Sequence, residues 1–228
     1  MSFDFFLMNA RPFSGTKFQG GLKEKEKHLN IILRFKVSKM AIPSKEERIL
    51  ELFMNEPTKH WHFSDIVKTS GASENITGKW LRHFQKNKII KRVKDEGKMP
   101  YFIGNYEDIE FKDRKKLYAL QKLYQTGLIE ELQRLKNAKT IVIFGSYVRS
   151  DWNTDSDVDV FVYGESEDFR FGRFWKGLGF QGKSREIQVH TFHSKKEMEE
   201  VRSGLLKNVL RGYVVKGDIY EVMKVVAS

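Results

Sequence analysis

Between residues 140 and 162 two short apolar runs bracket a pair of carboxylates, and this arrangement restricts the fold more than any other stretch of the chain. Thr140-Ile141-Val142-Ile143-Phe144 is rich in β-branched residues and reads as a buried strand. It ends at Gly145-Ser146. Ten residues follow, Tyr147 to Ser156, and then Asp157-Val158-Asp159-Val160-Phe161-Val162 forms a second strand. Alternation along a strand points Asp157 and Asp159 to one face, and Val158, Val160 and Val162 to the other, into a core. Two adjacent carboxylates repel each other and lose hydration, so the pair is costly without a cation. Magnesium suits it, being a hard ion bound by one or two carboxylates plus substrate phosphates. Two such ions can clamp the attacking and leaving oxygens of a phosphoryl displacement. Gly145 lets the backbone approach a triphosphate closely. The Ser146 hydroxyl and nearby amides can donate to phosphate oxygens, and Arg149 is placed to add positive charge.

The run Phe144-Gly145-Ser146, ten residues, then Asp157-Val158-Asp159 closely resembles the nucleotidyltransferases of the DNA polymerase beta superfamily, in particular the small minimal ones, over roughly Lys139 to Gly217. The resemblance implies that Gly145 and Ser146 hold the nucleotide phosphates and that Asp157 and Asp159 bind magnesium and are catalytic. The implied reaction moves a nucleoside monophosphate from a nucleoside triphosphate (NTP) to a hydroxyl and releases pyrophosphate. The family usually has a third carboxylate on a later strand, facing the metal pair. The candidate strand is Arg185 to Phe192, whose alternation puts Glu186, Gln188 and His190 on one face. Glu186 is the third catalytic candidate. The best register, however, places Gln188 where the family's aspartate would lie, and an amide is neither a general base nor a good magnesium ligand. His190 and His193 read as structural or solvated. His60 and His62, flanking Trp61, lack zinc-site spacing.

Upstream, regular patterning begins at Ser44-Lys45-Glu46-Glu47, a capping-box helix start. Ile49, Leu50, Leu52 and Phe53 give that helix its apolar face, and Pro57 ends it. Phe63 to Val67 begins a second helix with Ser64 as its cap. Ser70-Gly71-Ala72 is a turn, and Ser73-Glu74-Asn75-Ile76 opens a third helix with Ile76, Trp80, Leu81 and Phe84 on its core face. Ile89 to Val93 and Tyr101 to Ile103 read as hairpin strands around the turn Asp95-Glu96-Gly97-Lys98. This order of elements, Pro43 to Asn105, resembles a winged helix-turn-helix domain. Residues 79–98 carry a local charge of +6. Asn75, Thr77, Lys79, Arg82, Lys86, Lys91, Arg92 and Lys94 are the candidate contacts to double-stranded DNA: lysines and arginines neutralise phosphates, and Ser73, Asn75, Thr77 and Lys79 near the helix start are the candidates for base edges. A winged helix serving only protein contacts is the competing reading.

Charge supports a nucleic-acid partner. The chain carries +11, with +5 in residues 1–39, +4 in 40–106, and only +1 each in 107–136 and 137–228. No cysteine is present, which excludes disulfides, thiolate zinc sites and cysteine nucleophiles and fits a cytoplasmic protein. No apolar run reaches the ~20 residues of a membrane span, and the start lacks the pattern of a signal peptide. Residues 1–39 read either as a basic arm or as an extension ahead of a true start at Met40, an expectation that an intact mass of the native protein would decide.

The expected architecture is α+β. A winged helix (residues 40–106, three helices plus a β-hairpin) is joined by a connecting helix (107–136) to a small mixed-sheet α/β nucleotidyltransferase domain (137–228). In the connector, Leu117, Leu120, Leu123 and Tyr124 form the apolar stripe and Gly127 is a break point. Ser166 to Gly177 reads as a helix, and a second runs from a Ser194 cap to about Leu210. Gly212 to Gly217 reads as a short strand or turn before a terminal helix. Three functions stay open: a magnesium-dependent transferase acting on a nucleic acid or protein hydroxyl, an antitoxin-like enzyme that nucleotidylates a HEPN-type protein partner, and a DNA-binding regulator that only senses nucleotides.

Overall fold

The computed structural model describes residues 43–166, 169, 173–201 and 203–227. The readings for residues 1–39 lie outside the described residues. The first helix, α1 (Lys45–Asn55), starts with both bonds of a capping box. The Ser44 hydroxyl accepts from the Glu47 amide at 3.2 Å, and the Glu47 carboxylate accepts from the Ser44 amide at 2.8 Å. Ile49, Leu50, Leu52 and Phe53 are buried as expected. α2 (Phe63–Ser70) begins two residues earlier than a Ser64 cap would place it. His62 occupies the cap position without a side-chain capping bond, so Ser64 is in the first turn and does not cap it. Gly71 closes α2 in the left-handed conformation at φ 60°, where glycine has no Cβ penalty.

α3 (Glu74–Lys86) buries Thr77, Leu81 and Phe84. Ile76, expected on the core face, is 39% exposed, because the buried stripe passes through Thr77 instead. β1 (Ile90–Val93) and β2 (Tyr101–Gly104) pair antiparallel. Trp61 and Phe102 exchange backbone bonds of 3.0 and 2.8 Å, which lays the α1–α2 connection against the hairpin.

The connector forms α4 (Ile109–Gln125) and α5 (Leu128–Gln133), interrupted at Gly127, which has φ 79°. Asp108 caps α4, its carboxylate accepting from the Glu110 amide at 3.0 Å. Its buried face is Phe111, Lys115, Tyr118, Ala119 and Leu123, whereas Leu117 is 47% exposed. The buried stripe is therefore rotated from the expected one: Lys115 takes a core position that an apolar count does not assign to it.

The second half is built on a mixed five-stranded sheet ordered β5-β6-β4-β3-β7. Its strands are β3 (Ala138–Phe144), β4 (Val158–Gly164), β5 (Arg173–Trp175), β6 (Arg185–Phe192) and β7 (Tyr213–Lys216). Only the β4–β6 pair is parallel. Over Arg173–Trp175, β5 replaces the helix expected from Ser166 to Gly177, while residues 167–168 and 170–172 of that reading lie outside the described residues. Phe174 faces outward at 64% exposure while Arg173 and Trp175 turn inward, a strand alternation that lets these residues pair with the edge of β6. The helix expected from Ser194 to Leu210 is two, α7 (Lys195–Glu199) and α8 (Ser203–Val209), separated just before Ser203-Gly204, two weak helix formers. A final helix, α9, spans Tyr220–Ala227.

Both faces of the sheet are covered. Ile141, Ile143, Val158, Val160, Val162, Ile187 and Val189 join a cluster that continues through α4 and α5 to Ile49 and Phe53 of α1. Val142, Phe144, Phe161 and Tyr163 pack on Met198, Leu206, Val209 and Val222 of α7, α8 and α9. Among the described residues no helix is long and apolar enough to cross a membrane.

Candidate active site

At the end of β3 the chain turns through Gly145 (φ 80°, ψ −161°) into α6, the short helix Ser146–Arg149. A Cβ on Gly145 would lie 2.0 Å from Asp159 Oδ2, so only glycine accommodates the carboxylate at this distance. Asp159 pairs directly with Phe144 across the strands, which is why the turn and the carboxylate meet. Ser146 is half-buried beside them.

The loop from Ser150 to Asp157 is held by its own bonds and by a buried cation. The Asn153 carboxamide accepts from the Asp155 amide at 2.9 Å, and the Ser156 hydroxyl accepts from the Asn153 amide at 3.0 Å. Arg185, first residue of β6, is 2% exposed. Its guanidinium donates to the carbonyls of Asn153 (2.9 Å) and Ser156, to that of Leu178 (3.2 Å), and to Asn55 Oδ1 in α1 (3.3 Å). Tyr147 and Trp152 present their ring faces to it at 5.1 and 5.2 Å. Burial lowers its pKa, opposed by Tyr147, Tyr118, Asp157 and Asp155. Thr154 adds a second tie, donating to the Asn55 carbonyl at 3.1 Å. Arg185 thus fixes the backbone just before Asp157 and fastens it to α1.

Strand register brings Gln188 level with Asp159 and onto the same face. Its amide donates to Asp157 Oδ2 at 2.6 Å. Glu186, two residues earlier on that face, is half-buried opposite Phe174 of β5. It is Gln188 whose side chain contacts the acid pair. His190, which the sequence marks as structural or solvated, lies with Nε2 3.5 Å from Asp159 Oδ1 and that atom makes no hydrogen bond. At this separation the contact is one of proximity only. Arg149 is exposed; it donates to Asn208 Oδ1 in α8 (3.1 Å) and lies 3.7 Å from Asp151. Those contacts turn it toward α8, and none is to Asp157 or Asp159.

The donor set fits magnesium in a limited way. Asp157 and Asp159 would supply two hard oxygen ligands, which is what this ion takes from protein when phosphates complete its shell. Among the described residues no three His, Asp or Glu side chains converge to hold a metal by themselves.

Residues 126–222 match the nucleotidyltransferase domain family. The matched span contains β3, β4 and β6, and hence the turn, the acid pair and Gln188, while α1, α2, α3 and the hairpin precede it. No curated protein matches the chain.

Outside the nucleotidyltransferase region, Asn75, Lys79, Arg82, Lys86, Lys91, Arg92 and Lys94 are exposed. Thr77 is not: it is 0% exposed and its hydroxyl is buried without a partner, so it cannot reach a base edge. Arg82 of α3 and Arg92 of β1 line one groove of about 330 Å³ between helix and hairpin. Lys91 alternates to the opposite side of the strand and lies 3.4 Å from Glu107. Sequence reasoning missed Arg185, Asn55 and Lys115. None belongs to a local pattern, and their significance comes from partners far along the chain.

Proposed function

We propose that the protein transfers a nucleoside monophosphate from an NTP to a hydroxyl acceptor in a magnesium-dependent reaction, and that the α1–α3 and hairpin segment is a winged helix that presents it to double-stranded DNA. The observation that carries the reading is the packing of Gly145 against Asp159 at the head of two buried strands. It sets the turn directly against the carboxylate and allows nothing larger than hydrogen on Gly145.

In this reading the Gly145-Ser146 turn brings backbone amides and the Ser146 hydroxyl to the phosphates. Asp157 and Asp159 hold magnesium, which supplies charge neutralisation of the triphosphate when bound. Arg185 keeps the Asp157 backbone in place, and the Gln188 amide fixes the Asp157 carboxylate. Positioning and electrostatics then carry most of the catalysis, as is usual in phosphoryl and nucleotidyl transfer. The exposed cations of α3 and β1 support the winged-helix reading, since they neutralise phosphates without needing sequence-specific geometry.

One observation favours a second reading. Gln188 occupies the place beside the acid pair where a base for the acceptor hydroxyl would act, and an amide cannot take that proton. A regulator that binds nucleotide and DNA without turnover fits this residue. The deciding experiment is pyrophosphate release from each of the four ribonucleoside triphosphates with magnesium, with and without DNA, RNA or candidate protein acceptors. The transferase reading expects release that disappears in Asp157→Asn/Asp159→Asn. Nucleotide binding with no release from the parent chain under any condition, and release gained by Gln188→Asp, establishes the sensor instead.

A further inference from the structure

A cavity of about 480 Å³ opens between the C-terminal end of α1 and the loop leading to Asp157. This volume is in the range that holds small ligands. Gly145, Ser146, Asp157, Asp159 and Gln188 do not line it, so it is distinct from the acid pair. Its charged lining divides in two. The three carboxylates already have cations: Glu56 with Lys59 at 2.8 Å, Asp151 with Arg149 at 3.7 Å, and Asp155 with Lys183 at 3.5 Å. Lys112 and Lys115 have no carboxylate within ion-pair distance among the described residues.

Lys115 is the unusual member. It is 2% exposed, donates to the Trp152 carbonyl, and lies 4.4 Å from the Trp152 ring centroid. An ammonium has three protons, so a single carbonyl leaves it short of acceptors. Burial lowers its pKa to about 7; Asp151 opposes that effect and Arg185 adds to it. An anion arriving in the cavity would relieve the unmet demand. Lys112, exposed at the cavity wall, adds a second cation, and Tyr106 and Phe111 add aromatic surface.

We propose that this cavity binds a phosphate-bearing small molecule, with Lys112 and Lys115 meeting the phosphate and Tyr106 and Phe111 against the remainder. Lysine serves phosphate as a point charge and needs no planar partner. The ligand would touch both Asn55 and the loop Asn153 to Asp155, the two segments that Arg185 joins.

The test uses the Asp157→Asn/Asp159→Asn chain without divalent metal, so its outcome is independent of the transferase reading. Calorimetry and ligand-detected NMR are run with AMP, inorganic phosphate and adenosine as probes. AMP is expected to saturate, phosphate to displace it, and adenosine not to bind. Lys112→Ala and Lys115→Met each weaken AMP about tenfold or more, and Thr58→Trp at the exposed rim of the cavity blocks it. Should Lys115→Met not fold, the Lys112 and Thr58 variants suffice. No saturable binding of AMP or phosphate, adenosine binding as tightly as AMP, or AMP affinity unchanged in Lys112→Ala and Thr58→Trp overturns the proposal.

Discussion

Single residues at the acid pair differ in how much of their role their identity reveals. Gly145, Asp157 and Asp159 stand out as a group because they sit at a short, fixed spacing between two apolar strands, and the fold brings Gly145 against Asp159. Gln188 is legible from alternation and register once its strand is placed, and the side chain does meet Asp157. Arg185 is not legible. Arginine is rarely buried, and its partner Asn55 is 130 residues away, so no local pattern marks it. The steric argument at Gly145 gives a direct expectation. Gly145→Ala puts a methyl 2.0 Å from Asp159 Oδ2 at a φ of +80°, so the carboxylate must move. Displacement of a reacting group by about 1 Å can cost ~100-fold in rate. Pyrophosphate release should therefore fall by about that factor or more, while a thermal melt keeps its cooperative transition. Release at the parent rate would show that the turn does not shape the site.

Elements whose ends carry their own chemistry are readable. The capping box of α1, the left-handed Gly71 and the Gly127 break each follow from a local requirement. β5 is not, because the aromatic residues around it satisfy a helical pattern as well as a strand, and only the free edge of β6 decides between them. α3 and β1 make a prediction at this scale. Their exposed cations should set DNA affinity through counterion release, with Lys79→Ala/Arg82→Ala weakening binding across sequences. The slope of log affinity against log salt should become shallower by roughly one for each phosphate that the variant no longer neutralises. Fluorescence anisotropy over a salt series measures both quantities. Affinity and slope that match the parent would remove α3 from the interface.

At the scale of the whole molecule, one hydrophobic cluster runs from Ile49 in α1 to Val189 in β6, and Lys115 lies buried against its members Phe111 and Trp152. Its pKa falls from 10.5 unfolded to about 7 folded. Between those values the unfolded chain binds more protons, so stability must rise with pH through that window. Below about pH 7 the buried charge is carried in full and its cost is greatest. At ~1.4 kcal/mol per pH unit the effect is on the order of a few kcal/mol. The expected result is a denaturation midpoint that climbs from about pH 7 to about pH 10, with a slope that Lys115→Met flattens. The general basic charge of the chain adds a slope common to both proteins, so the difference between them isolates Lys115. Parallel slopes would mean that Lys115 stays charged in the fold.

The bond between Asn55 and Arg185 also has a consequence for how the chain is made. During synthesis the first helix leaves the ribosome long before the strand that bears Arg185 is translated. Until then the end of α1 lacks its clamp, and the loop before Asp157 has no anchor. Closing so long a stretch costs chain entropy before its contacts repay it, so completion of the acid pair is expected late in folding. A nascent or truncated chain would thus carry the exposed cations of α3 while lacking an assembled acid pair.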